Sequence, residues 1–126
     1  PTFLRPFLKL HAASCLGMAA LTLPAAGALQ LPLGIGSGLL QGAAAALIPI
    51  GLFMLWLGTR REASAAFVWL VILGNLGWTA ASFLASAAIP GISTLGQIAV
   101  TGQALAVLAL AMAEWAGLRQ SQAAAA

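Results

Sequence analysis

Four long apolar runs follow one another along this chain, separated by three short breaks in which glycine, proline or paired arginines interrupt the hydrophobic pattern. Each run holds the roughly 20 apolar residues that an α-helix needs to cross the hydrocarbon core of a bilayer. We place the helices at about Leu10 to Gln30, Ser37 to Gly58, Ser64 to Ala88 and Thr94 to Leu118. Two of the breaks, Leu31 to Gly36 and Ile89 to Ile92, are uncharged turns, and Ser93 or Thr94 is placed to cap the helix that follows. Turns this short force each helix to lie antiparallel to its predecessor. The expected fold is therefore all-α, an integral membrane antiparallel four-helix bundle, with residues 1–126 forming a single membrane domain.

Composition names the solvent. With 62% of residues hydrophobic and 6% charged, the chain has too little polar surface to clothe a soluble globule. The five basic residues then set the orientation. Arg5 and Lys9 precede the first run, Arg60 and Arg61 separate the second from the third, and Arg119 follows the fourth, so all lie at one end of the spans. That asymmetry predicts cytoplasmic N- and C-termini. Trp56, Trp69 and Trp115 fall near the same end, where indole rings favour the interface, while Trp78 falls nearer mid-membrane. The net charge of +3 orients the protein and is no sign of a nucleic-acid partner.

Ahead of the first helix, Pro6 with Phe3, Leu4, Phe7 and Leu8 reads as an interfacial lead-in, with Arg5 and Lys9 reaching toward headgroups. The first apolar run ends in Ala26-Gly27-Ala28, a pattern like a signal-peptidase site. We expect a retained span, because its loss would put the N-terminus on the opposite face from Arg119; a start at Pro1 fits removal of an initiator methionine. The closing Ala123 to Ala126 reads as a frayed tail. Cys15 is the sole cysteine, so no internal disulfide forms, and within an apolar helix it reads as packing.

Helix association in lipid gains little from hydrophobicity and depends on close backbone approach and polar contacts. Gly38, Gly42 and Ala46 make a small-residue ridge on the second helix, and Gly77, Ala81 and Ala85 a matching one on the third, so these two helices are expected to pack together. Pro49 leaves the carbonyl of Ala45 without its helical donor, and Asn75 lies at the same depth on the third helix. Asn75, Thr79, Ser82 and Gln103 are the candidate polar pocket, as interhelical contacts around the kink or as a site for a lipid headgroup, quinone carbonyl or small solute. Pro24 repeats the kink in the first helix.

Glu114 is the one acid inside a predicted span, and an intramembrane carboxylate is a functional candidate by default. Beside Trp115, it is expected to lie at the interface and pair with Arg60, Arg61 or Arg119 in a structural role. His11, the sole histidine, reads as interfacial; one imidazole cannot by itself ligate a bis-histidine haem. There is no HExxH, P-loop, GxSxG or CxxC pattern, and aspartate is absent. No catalytic or metal site is expected. No cofactor is implied either, with lipid, quinone or pigment as the alternatives the residues leave open.

From Leu31 onward three stretches stand out: Leu39-Leu40-Gln41-Gly42 leading to Pro49, Trp69 to Ile72 followed by Asn75, Trp78 and Ser82, and Gln103 to Val107 running to Glu114-Trp115 and Gly117-Leu118-Arg119. In these the chain resembles a group of small four-span membrane proteins of proteobacteria with no assigned activity. The group often carries a basic residue where Gln41 stands. The resemblance implies a multi-pass protein of the bacterial cytoplasmic (inner) membrane and no mechanism. Similarity to small multidrug exporters is weaker, since these carry a glutamate in the first helix and His11 to Leu31 has no acid. The expected function is a non-catalytic accessory or structural subunit, packing against a larger membrane complex or against copies of itself. The alternative is a small-solute transporter or channel with a polar path of Asn75, Thr79, Gln97, Thr101 and Gln103 on the third and fourth helices.

Overall fold

The computed structural model describes residues 4–62 and 64–125. Four helices account for nearly all of them: α1 (Leu4–Leu33), α2 (Ser37–Thr59), α3 (Ala65–Ala88) and α4 (Thr94–Ala125). Each is long and apolar enough to cross a membrane. Leu31, Leu21 and Leu84 stand 89%, 74% and 70% exposed on the outer surface, which is stable only where that surface meets hydrocarbon.

The helix ends differ from expectation at both termini. Pro6 falls in the first turn of α1, where a missing N–H breaks no helical bond, so the helix begins at Leu4 instead of Leu10. Leu4 and Leu8 consequently sit in the bundle core and not in the interface, while Phe3 lies outside the described residues. Arg5, half-buried at the surface, bonds the α2–α3 connection: its Nε donates to the Arg60 carbonyl at 2.9 Å and its Nη2 to the Arg61 carbonyl at 3.4 Å. At the other terminus α4 continues past Leu118 to Ala125, as alanine's high helix propensity favours. Ala126 lies outside the described residues.

The two uncharged turns lock together. Gly34, at φ +65°, ends α1 by donating its N–H to the Gln30 carbonyl at 2.9 Å, an αL cap. After α3, Pro90 and Gly91 (φ +75°) make a turn closed by Ile92 N donating to Ile89 O at 3.3 Å. Ser93 then caps α4, accepting from Gly96 N at 2.9 Å while its hydroxyl donates to Pro32 O at 2.6 Å. Its own N–H reaches Leu33 O at 3.0 Å. Carbonyls left without helical donors at the end of α1 are thus satisfied by the start of α4. A Cβ on Gly96 would collide with the Leu33 carbonyl, and one on Gly34 with that of Gly91.

Packing departs from the expected pairing of α2 with α3. The α1–α2 hairpin and the α3–α4 hairpin are each closely packed, α1 lies against α4, and α2 and α3 scarcely meet. Gly38, Gly42 and Gly77 have open space where a Cβ would point; Ala46 and Ala81 are exposed and Ala85 is half-buried. The glycines of close approach are Gly51 and Gly58, which face α1. A Cβ at Gly51 would lie 2.8 Å from Leu16 Cγ, and one at Gly58 3.1 Å from Lys9 Cγ. The inward face of α3 is instead the stripe Val68, Val71, Ile72, Asn75, Thr79 and Ser82, whose polar members find partners in the bundle and leave the Gly77 ridge outside. The main apolar core, including Leu8, Met54, Leu57, Val68 and Leu118, occupies the end of the bundle that carries the arginines.

Candidate functional site

Among the described residues, polar side chains bond one another inside the bundle in two groups. Toward the uncharged turns, they tie α3 to α4. Trp78 Nε1 donates to Gln103 Oε1 at 3.0 Å, and Gln103 Nε2 donates to Ser82 Oγ and to Val100 O, both at 2.9 Å. Ser82 and Thr79 donate to carbonyls of their own helix, Trp78 O and Asn75 O, each at 2.8 Å. Further along, Ser86 meets Thr101 at 3.4 Å and Gln97 Nε2 donates to Ser86 O at 3.4 Å.

The second group joins three helices at one point. His11 of α1, Asn75 of α3 and Glu114 of α4 are 1%, 6% and 0% exposed. Asn75 Nδ2 donates to Glu114 Oε1 at 3.0 Å. His11 Nδ1 lies 3.3 Å from both Glu114 oxygens and 3.3 Å from Asn75 Nδ2. One proton therefore decides the pattern: carrying it, Nδ1 donates to the carboxylate; without it, Nδ1 accepts from the asparagine amide or from a protonated carboxyl. Helix periodicity brings the members inward, since His11 lies on the buried line Leu4, Leu8, His11, Cys15, Ala19 and Glu114 shares its line with Ala104, Ala111 and Leu118.

These placements correct several expectations. Glu114 is not an interfacial partner of Arg60, Arg61 or Arg119; it is enclosed with His11 and Asn75 because only there are its oxygens answered in an apolar interior. The arginines stay outside: Arg60 stacks 5.2 Å from the Trp56 ring centre and Arg119 4.9 Å from that of Trp115, with Arg61 exposed. Nor is His11 an interfacial histidine. Asn75 spends its amide on Glu114 and not on the carbonyl freed by Pro49. Of the proposed pocket residues, Ser82 and Gln103 bond each other and Thr79 its own backbone, so Asn75 alone reaches the cavity described next.

Because α2 and α3 do not close on each other, a cavity of about 350 Å³ remains between them. Apolar and aromatic side chains, among them Ile50, Phe53, Leu70 and Trp78, make its walls, and Pro49 and Gly74 add flat backbone-like surface. His11, Cys15 and Asn75 line its inner side. Near the arginines the seam is bridged by Phe67 of α3, edge-on to Phe53 at 5.8 Å and to Trp56 at 5.9 Å. His11 Nε2 has no hydrogen-bond partner. Cys15 lies one turn along α1 on the same buried line, and its thiol is a weak donor and acceptor. Among the described residues no group of three or more histidine, cysteine or acidic side chains is placed to hold a metal ion.

No protein-family model, curated protein or solved structure matches this chain. Fold and site geometry alone bear on its role.

Nothing in the separate sequence positions of His11, Asn75 and Glu114 shows that the three side chains meet. The available signal was coincidence of rarity and depth: the sole histidine and the sole acid within a span both fall toward the arginine-bearing end of their helices.

Proposed function

We propose that the protein is a non-catalytic accessory protein of a bacterial inner membrane, engaging a larger membrane complex or further copies of itself through its lipid-facing helices. The observation that supports this reading most is where the polar side chains are spent. Gln97, Thr101 and Gln103, which a transporter would need along a water path, bond α3 or α4 groups. With connections this short, the surface left for recognition is the helical one inside the bilayer, where exposed leucines and isoleucines offer a partner helix van der Waals contact. Photo-crosslinkers at outward positions Leu73, Leu84 and Ile98 should capture one defined membrane protein, or a second copy, at reproducible positions in intact cells. Labelling of lipid alone at all three would remove the accessory reading.

The buried His11–Glu114 pair favours a second reading, a small-solute transporter coupled to protons, since ionisable groups within spans often serve such coupling. In that case Glu114→Gln would abolish a proton-dependent flux in proteoliposomes while the protein remained folded.

A further inference from the structure

We infer that the cavity between α2 and α3 is a binding site for a lipophilic quinone or quinol, held by one ring oxygen at His11 Nε2. The inference stands on the cavity itself and not on the accessory reading above. Its volume, about 350 Å³, lies within the range of small-molecule sites and is more than double the roughly 150 Å³ that accommodates a benzene ring. The walls are apolar and partly aromatic, with Trp78 and Phe53 among the lining side chains and Gly74 presenting none, which suits a flat ring. The site lies in a seam between two spans and is bridged by Phe53, Trp56 and Phe67 toward the arginines, so the occupant comes from the hydrocarbon.

Polar chemistry at the inner side narrows the class. Asn75 already donates to Glu114, and Nδ1 of His11 faces the same carboxyl, which leaves one buried nitrogen, Nε2, without a partner on a ring that lines the apolar cavity. An unpaired polar atom in such surroundings is destabilising until something answers it. A phospholipid headgroup, with its charge and many acceptors, needs several donors and finds one. Nε2 donates to a carbonyl when it carries a proton, in the imidazolium or in the neutral tautomer with Nδ1 bare, and accepts from a hydroxyl when the neutral imidazole holds its proton on Nδ1. A quinone presents the first and its quinol the second. A carboxyl behind Nδ1 holds the imidazole in orientation, as such partners do for functional histidines. The proposal concerns binding and includes no electron transfer.

The test uses the full chain in phospholipid nanodiscs with a decyl-tailed benzoquinone as probe. His11 is the sole histidine, so labelled imidazole nitrogens give one Nε2 signal. That signal should shift saturably with the quinone and remain still with decane. Gly74→Leu, which fills the wall at a position with open space and leaves the three polar residues intact, should weaken binding about tenfold or more with an unchanged fold. Quenching of Trp78 fluorescence, isolated by comparison with Trp78→Phe, should follow the same curve. An Nε2 signal that does not move at saturating quinone, equal competition by decane, or full binding by folded Gly74→Leu would each overturn the assignment, the second showing a groove for acyl chains only.

Discussion

A carboxyl group sealed from water is held here by two side chains from other helices, and losing one partner leaves the others unanswered. In soluble proteins breaking a buried ion pair costs about 3–5 kcal/mol, and removing both members much less. Measured interhelical hydrogen bonds in membranes are weaker, about 0.6 kcal/mol on average, so the asymmetry is more telling than the size. Glu114→Leu should lower the midpoint of thermal unfolding in detergent, followed by circular dichroism, because His11 and Asn75 lose their common acceptor. Adding His11→Leu should recover part of that loss. If the two effects merely add, the groups are neighbours without energetic coupling. Glu114→Gln keeps an oxygen for Asn75 and the side-chain volume, so its destabilisation should be the smaller of the two single changes.

Between elements, backbone approach decides which helices stay together. Gly51 and Gly58 sit where a Cβ would press on Leu16, Lys9 and Leu8 of α1, whereas Gly42 faces open space. Gly51→Leu should therefore broaden or shift the monodisperse elution of the protein in detergent, and Gly42→Leu should elute as the parent does; the reverse order would contradict the α1–α2 packing. Ser93→Ala removes the cap of α4 and a donor to Pro32 O together, and should cost about 1–2 kcal/mol of stability. The spans and both uncharged turns were legible in the sequence because they rest on local patterns: apolar length, Gly34 and Gly91 at the breaks, a serine ahead of α4. Partner choice was not. A chain with 14 glycines and abundant alanine shows small-residue ridges on several faces, and nothing local tells Gly38-Gly42 from Gly51-Gly58. The polar trio was hidden for the same reason, since His11, Asn75 and Glu114 come from three different helices and meet only through tertiary packing.

For the whole molecule, the inner polar cluster and the apolar core both lie toward the end that carries the basic residues, so orientation in the bilayer decides which compartment the cluster is nearer. Orientation follows the Lys and Arg bias of short connections, while acids contribute little. Arg5, Lys9, Arg60, Arg61 and Arg119 share one side, and neither turn on the other side is charged. Reporter fusions after Gln122, Gly36 and Arg61 should accordingly read cytoplasm, periplasm and cytoplasm. Replacing Arg60 and Arg61 by serine removes two of the five positive charges and leaves three on the same side against none opposite, so the same readings are expected from that variant. It also preserves the Arg60 and Arg61 carbonyls that accept from Arg5, since those belong to the backbone. A periplasmic signal after Gln122 in the parent would contradict the assigned orientation; one seen only in the variant would show that the α2–α3 connection, and not the summed bias, fixes the orientation.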